Sequence, residues 1–377
     1  MMFFHSMRSS VPAASSVRIH YKPDAPAANH SKQLTCQSAD GYHIIYTPIN
    51  MVNARISGIA SYVPDDILDN EMLSKMVDTN DEWITTRVGI KERRILRLEG
   101  EGSSYLGAKA VEKLLAETGV NPDEIELVIC ATSNPDYRFP STASVIVEKT
   151  GLKNAYAYDI QAACAGFIVA LEDATAYIKS GLRKKVIVVA AEKMSSMVNY
   201  QDRSTCPLFG DAAAAVLVEP TDAPVGVIDG VFHVDGAGLE HLLMKAGGSV
   251  KPITHEAIDA GENYLFQDGR NVYKNAVTDM LTSSLDVMKR NNLTVDDIDY
   301  LIPHQANLRI IEAVSSRAGF PADKVLVNIE HYGNTSAASI PLCLDEYKTK
   351  LKKGDRLLLT AFGAGFTWGA MYLIWDM

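Results

Sequence analysis

Two segments of this chain, far apart, follow one pattern. Residues 114–137 read LLAETGVNPDEIELVICATSNPDY, and residues 287–310 read VMKRNNLTVDDIDYLIPHQANLRI. Each begins as the end of an amphipathic helix, turns through an acidic polar stretch, and continues as a short apolar strand closing on a polar loop that holds an Asn. Aligned on Ile125 and Ile298, Asn134 falls on Asn307. A second pair, KKVIVVAAEKMSS (184–196) and GDRLLLTAFGAGF (354–366), runs from a basic turn into a continuous apolar strand and then a loop of small residues. Strands that are apolar throughout and alternate with helical stretches are buried on both faces by helices. The chain therefore reads as two copies of one α/β unit, residues 51–225 and 226–377, dividing within PTDAPVGVIDG (220–230).

Two equivalent units packed face to face bring equivalent loops to their interface, a favoured place for ligands. Cys164 lies about thirty residues beyond Asn134, and HYGNTSAAS (331–339) lies at a similar distance beyond Asn307. Taken singly, these residues have bland readings. A cysteine among alanines, as in QAACAGF (161–167), is usually a small hydrophobe in a core. His304, just past the strand DYLIP, also suits a helix cap, and Asn334 within GNTSAAS suits a turn. The functional readings are equally physical. With DIQAA ending a strand and CAGFIVALEDATAYI opening a helix, Cys164 lies at a helix N-terminus, whose partial positive charge is expected to lower the thiol pKa. A strand-end His titrates near neutrality and serves as acid, base or hydrogen-bond donor.

Composition narrows the classes. At 377 residues, the chain can bury two fused cores. A formal charge of −10 argues against a nucleic-acid binder, which needs a basic stripe. Five cysteines at scattered spacing, with no CxxC pair, suggest neither a disulfide framework nor a zinc site and fit a reducing, cytoplasmic compartment. VIVVAA (186–191) is only strand length, and no apolar run approaches the ~18 residues that a spanning helix needs. Residues 1–50, rich in Ser, Ala and Pro, read as a leader or disordered extension, with a strand-like opening from Met51.

QAACAGF with Cys164, HQAN (304–307) with His304 and GNTSAAS (333–339) with Asn334 together resemble the active-site segments of the 3-oxoacyl-[acyl-carrier-protein] synthase III family. DEWITTRVGIKERR (81–94), RFPSTAS (138–144), DRSTCPLFGDAAAAV (202–216) and AFGAGFTWG (361–369) extend the likeness over nearly all of residues 51–377. The resemblance implies a thiolase-like fold, with two duplicated α/β halves forming a five-layer αβαβα sandwich. It implies an initiating condensing enzyme of type II fatty acid synthesis, which joins a short acyl-CoA to malonyl carried on acyl carrier protein (ACP). Cys164 would be the nucleophile, with the N–H groups of Cys164 and Ala364 as oxyanion hole and with His304 and Asn334 as donors to an enolate. No cofactor or metal is implied. Chain-elongating relatives resemble a Cys-His-His arrangement and thiolases a Cys-His-Cys one.

By the same resemblance, Trp83, Arg87, Arg203, Gly269, Tyr273 and Asn307 would receive CoA, Tyr273 standing where the family often has Phe. Arg309, with Lys274 and Arg317, would receive the acidic ACP. Phe139 would floor the partner's acyl pocket in a homodimer. Ala212 and Ala214, where the family often has glycines, are expected to tighten packing near the pocket. Cys130, Cys206 and Cys343 read as structural. The alternative on this scaffold is a specialised condensing or acyl-transfer enzyme of secondary metabolism. A non-catalytic acyl-binding scaffold is disfavoured by the presence of all three polar residues.

Overall fold

The computed structural model describes residues 34–37, 43–46 and 52–377. Strands Leu34–Gln37 and His43–Tyr46 pair antiparallel within a unit separate from Val52–Met377. The rest of residues 1–51, where the leader was expected, lies outside the described residues.

Two sheets organise the main unit. The first comprises β1 (Asn53–Tyr62), β2 (Leu127–Ala131), β3 (Tyr156–Ile160), β4 (Val186–Glu192) and β5 (Ala212–Thr221), in the order β1-β5-β4-β2-β3. The second comprises β6 (Gly226–Val234), β7 (Tyr300–Pro303), β8 (Arg356–Gly363) and β9 (Thr367–Ile374), in the order β6-β9-β8-β7. In both, the last strand of the copy lies antiparallel between the first strand and a parallel set. The second sheet thus repeats the first without its edge strand, whose place is marked by a single bridge from Val325 to Leu301.

Seven helices complete the layers: α1 (Asp81–Val88), α2 (Ser103–Thr118), α3 (Thr142–Thr150), α4 (Gly166–Lys179), α5 (Gly269–Arg290), α6 (Leu308–Ala318) and α7 (Ser339–Tyr347). Every residue of β2 and β4 is buried, because alternate side chains feed different cores. Leu127, Ile129, Val186 and Val188 face the space between the sheets, whereas Val128, Cys130, Ile187 and Val189 face α2. The inter-sheet space is filled by α4, through Phe167, Ile168, Leu171 and Ile178, and by α7, through Ile340, Leu342 and Leu344. On the far face of the second sheet, α5 and its neighbour α6 form the outer layer. The result is the five-layer αβαβα sandwich that the resemblance implies, built from the two copies that the repeat predicts. Among the described residues, no helix is long and apolar enough to cross a membrane.

The copies meet where β5 ends and β6 begins. Gly226 adopts a φ of 89°, and a Cβ there would lie 2.0 Å from the Ala54 carbonyl oxygen of β1. Gly119 has a similar φ of 66° but open space around it. Gly119→Ala should therefore cost about 1 kcal/mol from backbone strain alone. Gly226→Ala should cost about 3 kcal/mol or more, since β6 must also shift off β1. Urea unfolding of the two variants checks the difference.

Candidate active site

Equivalent chain turns from the two copies meet at one place. After β3 the chain passes through Ala163, at a φ of 45°, into the short turn Ala163–Ala165 and then α4. In the second copy it passes through Ser336, at a φ of 51°, into the turn Ser336–Ala338 and then α7. A positive φ is uncommon outside glycine and costs energy that the surroundings must supply. Cys164 follows the first of these residues, and Ala337 occupies the matching position. Gly363, at the end of β8, lets the following loop approach; a Cβ on it would lie 2.6 Å from the Cys164 backbone nitrogen. Ala364 comes next, and its N–H donates to no protein acceptor among the described residues.

His304 follows β7, and its backbone N–H donates to the Thr360 carbonyl at 2.8 Å. The buried ring meets Ser339 through Nδ1, 2.7 Å from Oγ. Ser339 Oγ also accepts the Gln305 N–H at 3.3 Å. The arrangement that leaves no buried hydroxyl proton unpaired has Ser339 donating to Nδ1, which puts the ring proton on Nε2. Asn334 is held by a bridge to Phe209 of the first copy: its N–H donates to the Leu208 carbonyl at 2.8 Å, and its carbonyl accepts the Gly210 N–H at 3.1 Å. The Asn334 side-chain oxygen accepts the Ser336 N–H at 2.8 Å, leaving the amide NH2 as a donor. The Leu208–Gly210 shelf is braced by Arg93, fully buried, whose guanidinium donates to the Pro207 and Leu68 carbonyls and to Asn70.

Electrostatics correct one expectation. Cys164 does sit in the first turn leading to a helix, but burial pushes its thiol up to about 12, helped by the Glu192 charge and only partly opposed by a hydrogen bond from Ser336. The helix start is enclosed between two sheets, so loss of water outweighs the favourable dipole. The resting nucleophile candidate is a thiol. Burial likewise lowers His304 to about 3, so its ring is neutral. Cys130 and Cys343 are buried and raised well above the usual thiol range by burial, and Cys206 is pushed up to about 11 by the same cause. Of Cys130, Cys164, Cys206 and Cys343, only Cys164 keeps part of its surface exposed.

A cavity of about 810 Å³ opens onto these groups. It brings together Cys164, His304, Asn334 and Ala364 with Arg87, Gly269, Tyr273, Asn307 and Arg309. Asn307 also caps α6, its side chain accepting the Arg309 N–H at 2.9 Å. The matched Asn134 instead donates to the Lys193 carbonyl and Ser196 Oγ, so the two asparagines of the repeat do different work. Trp83 and Arg203 lie outside the cavity lining but belong to its rim through Arg87: the Arg203 and Arg87 guanidinium carbons stand 4.8 Å and 6.0 Å from the Trp83 ring centre. Arg309 stands 5.6 Å from the Tyr273 ring centre, with Lys274 exposed next along α5. Arg317 is exposed near the other end of α6, about 12 Å along the helix from Arg309. Phe139 is 86% exposed and does not line the cavity. Ala212 and Ala214 are buried within β5 and line no part of the cavity.

Several lining groups escaped sequence reasoning. Ser133 and Ser336 face each other across the copies, 3.5 Å apart, in front of the buried Glu192. A glutamate ending the otherwise apolar strand VIVVAAE was the available signal. The stretch from Leu239 to Gln267 supplies an apolar wall through Leu239, Leu242, Leu243 and Leu265. Its strands, Leu242–Met244 and Leu265–Gln267, carry no distinctive pattern. Among the described residues, no group of three His, Cys, Asp or Glu side chains is placed to hold a metal ion.

Two sheets enclosing a central helix pair, with the start of one helix opening on a deep cavity, define the thiolase-like class of folds. Within that class, models described as 3-oxoacyl-[acyl-carrier-protein (ACP)] synthase III and its C-terminal part match residues 158–236 and 288–375. The chain is 59% identical over 324 residues to beta-ketoacyl-[acyl-carrier-protein] synthase III 2 of Bacteroides thetaiotaomicron, covering 86% of this chain and 97% of that protein. It is 54% identical over 327 residues to beta-ketoacyl-[acyl-carrier-protein] synthase III of Porphyromonas gingivalis, covering 87% and 98%. The crystal structure of 3-oxoacyl-[acyl-carrier-protein] synthase III from Aquifex aeolicus superposes with a TM-score of 0.78 at 42% identity, covering 85% of this chain and 100% of that one. The chain belongs to the 3-oxoacyl-[acyl-carrier-protein] synthase III family.

The neutral ring of His304 has a consequence for stability. Below about pH 6.5 the unfolded chain takes up a proton that the native ring refuses until about pH 3, so this residue removes stability as pH falls. By pH 5 the loss is about 2 kcal/mol. His304→Gln should reduce the stability difference between pH 7.5 and pH 5 by that amount in urea titrations.

Proposed function

We propose that the chain is an initiating condensing enzyme of fatty acid synthesis: an acyltransferase that joins a short acyl group from acyl-CoA to malonyl-ACP, giving 3-oxoacyl-ACP, CoA and CO2. The observation that carries this reading is the single cavity on which a thiol from one copy meets an imidazole and a carboxamide from the other. In the first half-reaction the Cys164 sulfur attacks the thioester carbonyl, and the oxyanion is held by the N–H groups of Cys164 and Ala364. The C–S bond to CoA breaks, and CoA leaves with the thiol proton, so acyl-cysteine and CoASH are the products.

Malonyl-ACP then loses CO2. The electron pair of the broken bond passes into an enolate, whose oxygen accepts from His304 Nε2–H and the Asn334 amide. A neutral imidazole with its proton on Nε2 suits a donor that must not itself be a base at that moment. The enolate carbon attacks the acyl-cysteine carbonyl, 3-oxoacyl-ACP departs, and the sulfur takes up a proton to return to the thiol.

Trp83 with Arg87 and Arg203 offers an aromatic face and guanidinium groups for the nucleotide end of CoA, and Gly269, Tyr273 and Asn307 border the path of the pantetheine arm. Arg309 and Lys274 at the same mouth offer positive charge to an acidic carrier protein, with Arg317 at the far end of α6 as an outlying contact. Exposed Phe139 and Tyr137 supply apolar area for a second copy of the chain, as a homodimer. No step requires a cofactor.

Mass spectrometry after exposure to a panel of acyl-CoAs should show one acyl adduct on Cys164, transferred on addition of malonyl-ACP. Absence of an adduct from every donor would sink the mechanism. His304→Ala and Asn334→Ala should each slow condensation by about 10²–10³-fold while sparing adduct formation; equal loss of both half-reactions would overturn the division of roles. Trp83→Ala should raise KM for acyl-CoA about tenfold with kcat little changed in steady-state kinetics.

A further inference from the structure

Among the described residues, Arg93 is the one lysine or arginine that is fully buried. It sits on the short strand Glu92–Arg94, which pairs antiparallel with Ile67–Asp69, and it does not line the cavity. Its guanidinium donates from Nη1 to the Leu68 carbonyl at 3.0 Å and to Asn70 Oδ1 at 2.9 Å, and from Nη2 to the Pro207 carbonyl at 2.7 Å. All three acceptors are neutral oxygens. Burial pulls the group down to about 10, which leaves it a cation at neutral pH. Enclosing a cation among neutral acceptors is a costly way to stabilise a fold, so stability alone does not account for it.

What the guanidinium holds is the shelf under Asn334. Residues 203–208 run through consecutive turns, and the shelf makes a single bridge, between Phe209 and Asn334. Its two ends are fixed by the strand that carries Arg93: Pro207 through Nη2, and Asp211 through its N–H, which donates to the Arg94 carbonyl at 2.8 Å. Between these anchors, the Leu208 carbonyl and the Gly210 N–H take both backbone groups of Asn334. Packing closes the same joint. A Cβ on Gly210 would lie 2.3 Å from the Tyr332 carbonyl oxygen and 3.0 Å from Arg93 Cβ. One on Gly333, at a φ of 63°, would lie 2.6 Å from the Leu208 carbonyl oxygen and 3.5 Å from Arg93 Cβ. The stem of Arg93 thus abuts both sides of the joint, and its guanidinium ties one side down.

We infer that Arg93 is a positioning residue for the condensation half-reaction: by fixing Pro207 it sets the Leu208–Gly210 shelf, and with it the direction in which the Asn334 amide donates into the cavity. The Asn334 side chain follows its backbone, because its oxygen is taken up by the Ser336 N–H at 2.8 Å. A planar fork of fixed angles can hold two chain segments at once, which a lysine ammonium does less well. His304 hangs from a different support, the Thr360 carbonyl, and the turn at Cys164 packs on Gly363. The effect therefore falls on one donor to the enolate and not on the nucleophile. The inference rests on the reading of Asn334 as that donor and deepens it.

The test separates the half-reactions in Arg93→Met and Arg93→Lys. Acylation of Cys164 by acetyl-CoA, and release of 3-oxobutanoyl-ACP when the preformed acyl-enzyme meets malonyl-ACP, are each followed by rapid-quench mass spectrometry. Condensation should slow about 100-fold in Arg93→Met and about tenfold in Arg93→Lys, as expected of an ångström-scale misplacement, while acylation stays within about twofold. In an Asn334→Ala background, Arg93→Lys should add less than about twofold, because the group it positions is gone. Selective nitrogen-15 labelling of asparagine gives a readout independent of activity. The side-chain NH2 signals of Asn334, assigned by their absence from Asn334→Ala, should shift in Arg93→Lys, whereas those of Asn307, on the same cavity, should not. Equal loss of both half-reactions in both variants would make Arg93 a brace of the fold and overturn the inference. So would an undiminished loss in the Asn334→Ala background, or unmoved Asn334 signals. An unaltered protein that forms no 3-oxoacyl-ACP, together with the expected shift of the Asn334 signals, would count against the condensing role and still support Arg93 as the residue that aims Asn334.

Discussion

Burial of α4 and α7 between two sheets is the constraint on which the remaining structure depends. Both helices must be apolar nearly all round, because sheets cover them on both sides, and their first turns must emerge where the strand ends of the two copies meet. Gly166 marks how tightly this is done: a Cβ there would lie 3.1 Å from Ala131 and 3.3 Å from Ala337, one from each copy. The chemistry is placed where the loops enter the central helices, at an opening of that layer.

Dryness is the price of that placement, and it shifts the protonation of the thiol, the imidazole and the carboxyl behind them. The thiol is raised, the imidazole is lowered and the Glu192 carboxyl is raised, each chiefly by burial. Cys164 and His304 are therefore both neutral at rest, unlike a cysteine–histidine ion pair. The polar groups of the site are kept in position by hydrogen bonds that cross between the copies: Asn334 on Leu208 and Gly210, Ser336 against Ser133. Inside a low-dielectric site such fixed donors act strongly on charge that develops during reaction.

Much of the fold was legible because it rests on patterns that repeat. Two matched helix–turn–strand segments and two continuous apolar strands were enough to foresee paired buried sheets, since an apolar run flanked by helical periodicity has few other uses. The missing edge strand of the second sheet was not legible: the segment around Val325 makes only one bridge. Nor was the wall formed by residues 239–267, whose short strands pair only with each other and gain their apolar lining role from where the chain folds back over the cavity.

The site divides the same way. Local sequence marked Cys164, His304 and Asn334 as residues of suitable chemistry at strand ends and small-residue turns, and resemblance gave them an order. Their convergence on one cavity comes from the pseudo-symmetric packing of the copies, a long-range fact with no local signature. The sign of the Cys164 shift reversed for that reason: a helix start alone favours thiolate, whereas a helix start enclosed by two sheets loses water and holds the thiol. Residue types and periodicity are local properties and can be read along the chain; burial, and the charge states it dictates, belong to the three-dimensional surroundings and exist only once both copies are packed.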